Sequence, residues 1–305
     1  MSLLPIMLLL GVVASSQQPP RTAEAAGKSA DLWIDAVVLD REGVPVLDVR
    51  PDELEVWIGS YRIPILEVSA VTPGATGRTV VLLLDDRAID PAAALRVKET
   101  ARAFVDLMGP GDRMAIVPLH GSPTALTDER ARLLQAISSY SVHGLPFRIE
   151  DAGAHVLQTV ARLSRALAEE SSGRKALVAL GAGWMFDTPL PPPGLRDLRS
   201  EWLEAMRATA AAHVSLYVVD PAGLGMRPGF TGGRNGFARE TGGHAFLNTN
   251  DLRGAAARVW QEAGSYYLIG VSNPAVHRSA ELRELDVRVL RKGLTVRARR
   301  AIPAP

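Results

Sequence analysis

TVVLLLDDRAID, residues 79–90, runs six uncharged residues into two adjacent carboxylates, Asp85 and Asp86. An apolar run of this length without polar alternation fits a strand buried on both faces, as the central strands of parallel sheets are. The change of polarity marks its carboxyl end, where open α/β sheets place their ligands. Asp90 and Pro91 supply a helix cap and a first-turn proline. Val97, Ala101, Phe104, Val105 and Met108 then share one helical face, and Gly109-Pro110-Gly111 ends the helix.

The same alternation continues downstream. Asp112–Leu119, Lys175–Leu180 (KALVAL) and His213–Asp220 (HVSLYVVD) read as further buried strands, with a short edge strand over 124–126. Helical spacing groups Ala131, Leu134 and Ile137, then Val156, Val160, Leu163 and Leu167, then Leu195, Leu198, Trp202 and Met206. Residues 221–236 form a glycine-rich loop, 237–241 a helical turn, 244–247 a small strand, and Asp251 caps a last helix carrying Leu252, Ala255, Val259 and Trp260. Strand and helix alternating from Thr79 to Ala263 predict an α/β fold, a doubly wound, mostly parallel Rossmann-like sheet.

On either side lie strands without helices. Leu32, Ile34, Ala36 and Val38 alternate with other residues, as do Leu54, Val56 and Ile58, and Ile63, Ile65 and Val68 suggest a third strand. Tyr266–Val271, Leu285–Leu290 and Leu294–Arg299 follow the helical region, the last two joined as a hairpin at Lys292-Gly293. Neither set is large enough to bury both its faces alone, so the two predict one accessory β module formed by N- and C-terminal strands. The expected division is an N-terminal β segment over 31–70, the α/β domain over 76–264, and a C-terminal β segment over 265–300 that pairs with the first.

Ser2–Ala14, SLLPIMLLLGVVA, is too short for a comfortable membrane span and is followed by small residues. It predicts a signal peptide over 1–16, removed on export or kept as a tether, with a flexible polar linker over 17–30 and no membrane span in the mature chain. The expected location is secreted or periplasmic, in the cell envelope. Zero cysteines exclude disulfides and thiolate chemistry. Of 305 residues, 34 are Lys or Arg and 33 Asp or Glu; a formal charge of +1 lacks the basic field of a nucleic-acid binder. The basic C-terminal run (Arg283, Arg288, Arg291, Lys292, Arg297, Arg299, Arg300) reads as strand residues facing water.

The order of these parts resembles bacterial secreted proteins related to the von Willebrand factor A (VWFA) domain. The segments that carry the resemblance are VVLLLDDRAIDPAAALRVKETARAFVDLMGPGDRMAIVPL, GRKALVAL, HVSLYVVDPAGL, ARETGGHAF, SYYLIGVSNP and RELDVRVLRKGLTVRARR, with AVVLDREGVPVLDVRPDELEVWIG before them. The resemblance implies a site for Mg²⁺ or a similar ion built on a DxSxS motif, a loop Thr and a second Asp. Here Asp85 matches the first Asp. Arg87 and Ile89 stand at the two Ser positions, no Thr occurs between His143 and Gln158, and Gly181 or Ala182 stands at the second Asp. A cation at Arg87 also opposes a bound metal. The expectation is a degenerate ion site with no cofactor, any metal falling to Asp85 and Asp86.

Other chemistry finds little footing. There is no HExxH and no GxSxG, and the six histidines are dispersed. The loops around the degenerate site carry the candidate binding residues: Asp85, Asp86, Arg87 and Asp90 after the first strand, and Trp184, Phe186 and Asp187 after KALVAL, where aromatic anchors suit a protein partner. The reading is an exported, non-catalytic protein-binding module. Two alternatives remain: metal-dependent binding or hydrolysis at a rearranged site using Asp85 and Asp86 with His120 or His155, and a structural envelope component.

Overall fold

The structure, a computed structural model, describes residue 30 and residues 32–86, 91–143, 149–170, 173–181, 197–224, 232–272 and 282–303. In chain order its strands are β1 (Leu32–Leu39), β2 (Leu54–Ile58), β3 (Tyr61–Ile63), β4 (Ile65–Val71), β5 (Thr79–Leu84), β6 (Arg113–Pro118), β7 (Lys175–Leu180), β8 (Val214–Val219), β9 (Ala245–Phe246), β10 (Tyr266–Val271), β11 (Leu282–Val289), β12 (Thr295–Ala298) and β13 (Ala301–Pro303). The helices are α1 (Pro91–Leu107), α2 (Arg130–Ser139), α3 (Ile149–Ala168), α4 (Arg199–Ala211), α5 (Gly232–Glu240) and α6 (Leu252–Gly264).

The architecture is mixed α/β: a five-stranded sheet of parallel pairs and two four-stranded antiparallel sheets. The parallel sheet runs β6-β5-β7-β8-β9, so β5 is interior and the winding reverses between β5 and β7. Every residue of β5 is buried. Val80, Leu82 and Leu84 face a core shared with Phe104 of α1, Ile137 of α2 and Trp260 of α6, while Val81 and Leu83 face Val160 of α3, Met206 of α4 and Phe237 of α5. Two apolar faces with period 2 make this strand read as an unbroken run. Asp251 caps α6, its Oδ1 accepting the Gly254 N–H at 2.8 Å. Asp251→Ala should lower unfolding free energy by about 1 kcal/mol, read as a shift in urea midpoint.

The flanking strands pair across the chain. β1 lies between β10 and β12, and β2 between β11 and β3. Their inner faces share one core that includes Ile34, Val38, Val56, Ile58, Ile269 and Val287.

Several sequence expectations change here. Ile63, Ile65 and Val68 do not share one strand, because Pro64 separates β3 from β4 and the two lie in different sheets. Proline has no N–H for a ladder, so it marks the point where the chain changes sheet. The Lys292-Gly293 turn is likewise no hairpin: Gly293 has φ +84°, and the chain crosses from β11 in one sheet to β12 in the other. Residues 124–127 contribute a single antiparallel bridge, Met114 with Thr127, rather than a strand. α2 buries Leu133 and Ile137 and leaves Leu134 39% exposed, a face turned by one residue from the expected one. α5 starts at Gly232, ahead of the expected turn, and β13 adds a strand at the C-terminal end.

The expectation that the basic C-terminal run faces water fails for Arg283 and Arg299, which are 2% and 6% exposed. β1 has a second buried face, Asp35, Val37 and Leu39, turned toward the parallel sheet. Asp35 meets Arg174, which immediately precedes β7 and whose side chain is fully buried. Arg174 Nη2 donates to the Tyr217 hydroxyl at 3.0 Å and to the Gly242 carbonyl at 2.6 Å, and Tyr217 donates to Glu262 Oε2 at 3.1 Å. Arg297 pairs with Glu262, and Arg299 Nη2 donates to the carbonyls of Thr209 (2.9 Å) and Val214 (3.1 Å). Burial opposes ionisation of Asp35, but Arg174, His213 and Arg299 outweigh it and hold the carboxyl well below the usual carboxylate range. The sandwich thus covers the amino ends of β7 and β8 and leaves the carboxyl edge of the sheet to its loops.

His244, just before β9, is held down to about 4 by burial and by Arg297, Arg258 and Arg239. An unfolded imidazole binds its proton near 6.5, so the folded state is disfavoured wherever the unfolded chain is protonated and His244 is not. This contribution is complete above pH 6.5 and is lost as pH falls toward 4, by about 1.4 kcal/mol per pH unit at most. Urea midpoints measured in phosphate-free buffer should show this acid-side loss in the native chain and a reduced loss in His244→Gln.

Candidate functional site

Parallel strands bring their carboxyl ends to one edge, and the reversal of winding between β5 and β7 opens a crevice there. Asp85 and Asp86 leave β5 at this crevice, Gly181 leaves β7, Asp220 leaves β8, and Leu119 and His120 leave β6. The ladders extend into the loops: the Asp85 N–H donates to the Leu180 carbonyl at 3.0 Å and the Leu119 N–H to the Leu84 carbonyl at 2.9 Å.

Asp85 and Asp86 are each 1% exposed. The Tyr140 hydroxyl, one residue past α2, donates to the Asp85 carbonyl. Burial and the nearby Asp85 and Asp86 charges push the Tyr140 hydroxyl pKa up, so it remains a donor. The Asp86 carbonyl accepts the His143 N–H at 2.9 Å. The Asp86 carboxylate takes two contacts from one residue, the His120 N–H on Oδ2 at 3.2 Å and the His120 ring Nδ1 on Oδ1 at 2.9 Å. A carboxylate only accepts, which assigns the Nδ1 proton to His120.

His120 stacks on His155 of α3, with ring centroids 4.6 Å apart and planes 19° from parallel. His155 Nε2 lies 3.0 Å from the Leu119 carbonyl, so Nε2 carries that ring's donor proton. Asp86, His120 and His155 therefore clamp the turn after β6 to β5 and to α3. Asp220 does a similar local task after β8, its Oδ1 accepting the Ala222 N–H at 2.9 Å.

Of the candidate binding residues, the structure brings Asp85 and Asp86 to this edge, while Arg87, Asp90, Trp184, Phe186 and Asp187 lie outside the described residues. His120 and His155, dispersed in sequence, meet at the site. Their meeting had a signal: β5 pairs with β6 so that Leu84 faces Pro118, and two further steps on each strand put Asp86 opposite His120.

A hard divalent ion such as Mg²⁺ needs several oxygen ligands in near-octahedral array. Both oxygens of Asp86 already face His120 donors, and Gly181 offers no side-chain ligand. Among the described residues, no group of three or more His, Asp or Glu stands close enough to hold a metal ion. The described donor set does not make a complete shell.

No family model and no curated protein matches this chain. Among solved structures, a variant of the PilB minor pilin from Streptococcus sanguinis superposes with a TM-score of 0.43 at 10% identity, covering 62% of each chain. The pilus adhesin SpaC from Lactobacillus rhamnosus GG gives 0.42 at 11% identity over 69% of this chain and 34% of that one. The human COPII-coat protein Sec24c gives 0.37 at 9% identity, over 75% of this chain and 44% of that one. This chain therefore spans less than two thirds of each of these proteins, and superpositions this loose carry no functional weight.

Proposed function

We propose that this chain is an exported VWFA-like protein-binding module that uses no metal and performs no catalysis. The observation that carries the reading is the state of Asp86: both its oxygens face donors of His120, which makes the carboxylate a brace for the crevice rather than an open ligand. In the VWFA-related pattern that the sequence resembles, the same edge offers carboxylate and hydroxyl ligands to an ion. Here Arg87 and Ile89, and Gly181 or Ala182, stand in place of those ligands. The partner then meets the loops that leave this edge, with Trp184 and Phe186 as apolar anchors. Sandwich strands covering the opposite, amino end of the sheet support this orientation. The N-terminal apolar run supports export, and no helix among the described residues is long and apolar enough to cross a membrane.

The test uses the full chain immobilised against a native envelope fraction, once with chelator and once with Mg²⁺. The same protein should be retained in both, and the Trp184→Ala, Phe186→Ala variant should lose it. Retention by that variant, or retention only with Mg²⁺, contradicts the reading.

One observation favours a second function. A carboxylate-oriented imidazole, Asp86 on His120, is the arrangement of a general base. A hydrolase of this kind would lose turnover of activated esters in both His120→Gln and Asp86→Asn, and the binding-module reading expects no such turnover in the native chain.

A further inference from the structure

We propose that the edge where the parallel sheet meets the sandwich holds a second site, a recess for a small oxyanion of the phosphate class, gripped by Arg239 and Arg300 beside Arg297 and His244. The recess has a volume of about 240 Å³ and lies away from the Asp86 crevice, so it is independent of the partner face. Arg239 comes from the last turn of α5, His244 from the residue before β9, Arg297 from β12, and Arg300 from the link between β12 and β13. The main chain fixes this convergence: the Arg300 N–H donates to the Glu240 carbonyl at 3.0 Å, and Thr241 bridges to Arg299. Gly242, with φ +82°, and Gly243 complete the wall without side chains.

The charges around the recess do not cancel. Arg297 is matched by Glu262, a buried carboxylate that also accepts from Tyr217. Glu240 faces Arg300 and Arg239 with Glu284 beside it; these two carboxylates and Glu262 offset part, not all, of the charge of Arg239, Arg258, Arg297 and Arg300. Arg239 and Arg300 make no side-chain hydrogen bond or ion pair among the described residues, and both are exposed. Arg258 of α6 adds a further cation toward His244, whose ring also packs edge-on to Phe246 at 4.8 Å. Water-facing strand arginines would spread apart along their strands; Arg239, Arg297 and Arg300 gather from α5, β12 and the β12–β13 link around one concavity. Guanidinium forks match tetrahedral oxyanions by paired N–H donors, and a neutral imidazole in the wall can gain its proton when the anion arrives.

The experiment titrates the full-length chain with inorganic phosphate by calorimetry near pH 7, and follows the His244 ring by NMR with His244→Gln as assignment control. Saturable binding is expected, weakened at least about tenfold in the Arg239→Gln, Arg300→Gln variant. Bound phosphate should raise the His244 pKa by about one unit or more in the native chain and leave it in place in the variant. Circular dichroism checks that the variant is folded, which two exposed positions should permit. Absence of saturable heat up to on the order of 10 mM phosphate overturns the site, as does binding that the double variant retains or a His244 titration that phosphate leaves unmoved. Where phosphate binds, co-sedimentation with phosphatidylglycerol vesicles separates the two sources of this chemistry. Association lost in the double variant assigns a lipid headgroup, and no association assigns the free ion.

Discussion

Arg174→Met is expected to destabilise the fold by about 3–5 kcal/mol, the range seen when one partner of a buried ion pair is removed. The guanidinium is fully buried and joins Asp35 of β1, Tyr217 of β8 and the Gly242 carbonyl. Its removal leaves the Asp35 carboxylate buried with weaker partners: His213 Nδ1 lies 3.5 Å away, and Ser215 Oγ also stands at 3.5 Å. The Tyr217 hydroxyl and the Gly242 carbonyl lose a donor as well. Asp35→Leu in the same chain removes the stranded charge, so the double variant should be more stable than the sum of the single effects by at least about 1 kcal/mol. Urea unfolding of the four chains measures this coupling. Additive effects would mean that the ion pair does not join the sandwich to the parallel sheet.

Gly243→Ala is the second large loss, about 3 kcal/mol, at the upper end for forced overpacking. A Cβ at this position would stand 1.9 Å from the Leu216 carbonyl oxygen and 2.6 Å from its carbon. Backbone atoms of an interior strand cannot swing aside as a side chain does, so β9 would have to leave β8. The same residue lines the anion recess, so the variant should lose β9 pairing as well as stability. Faster hydrogen exchange at the Val218 and Asp220 amides, which donate to His244 and Phe246 carbonyls at 3.0 Å, would report that. Unchanged exchange and an unchanged midpoint would show that the close approach is relieved locally.

The parallel strands were legible because burial on both faces leaves an unbroken apolar run, as in Thr79–Leu84 and Lys175–Leu180. Pairing of N-terminal with C-terminal strands followed from each set being too small to bury itself. Which strand joins which sheet was not legible, since alternation tells which face is apolar and says nothing of the neighbour. Ile63 and Ile65 share a pattern and part company at Pro64 for that reason. The buried arginines were hidden by the same ambiguity. A strand with charged residues on alternate positions looks alike whether that face meets water or, as with Arg299, carbonyls of a second layer. At the candidate site, Asp85 and Asp86 were visible as a polarity change. His120 and His155 stood beside them only as alternatives for hydrolysis; that the two rings stack on each other was not legible, because they lie 34 and 36 residues from their hydrogen-bond partners Asp86 and Leu119 and meet through parallel register and helix packing.

On the proposed reading, the Asp85–Asp86 edge is held by protein contacts and not by an ion. Any ion bound by the native state alone adds stability, about 2.7 kcal/mol at one hundred times its dissociation constant. The decisive measurement is therefore urea unfolding of the full chain in chelator and again in millimolar Mg²⁺ or Mn²⁺. The same midpoint in all three is predicted; a higher midpoint with either metal, abolished by Asp85→Ala, Asp86→Ala, would contradict it.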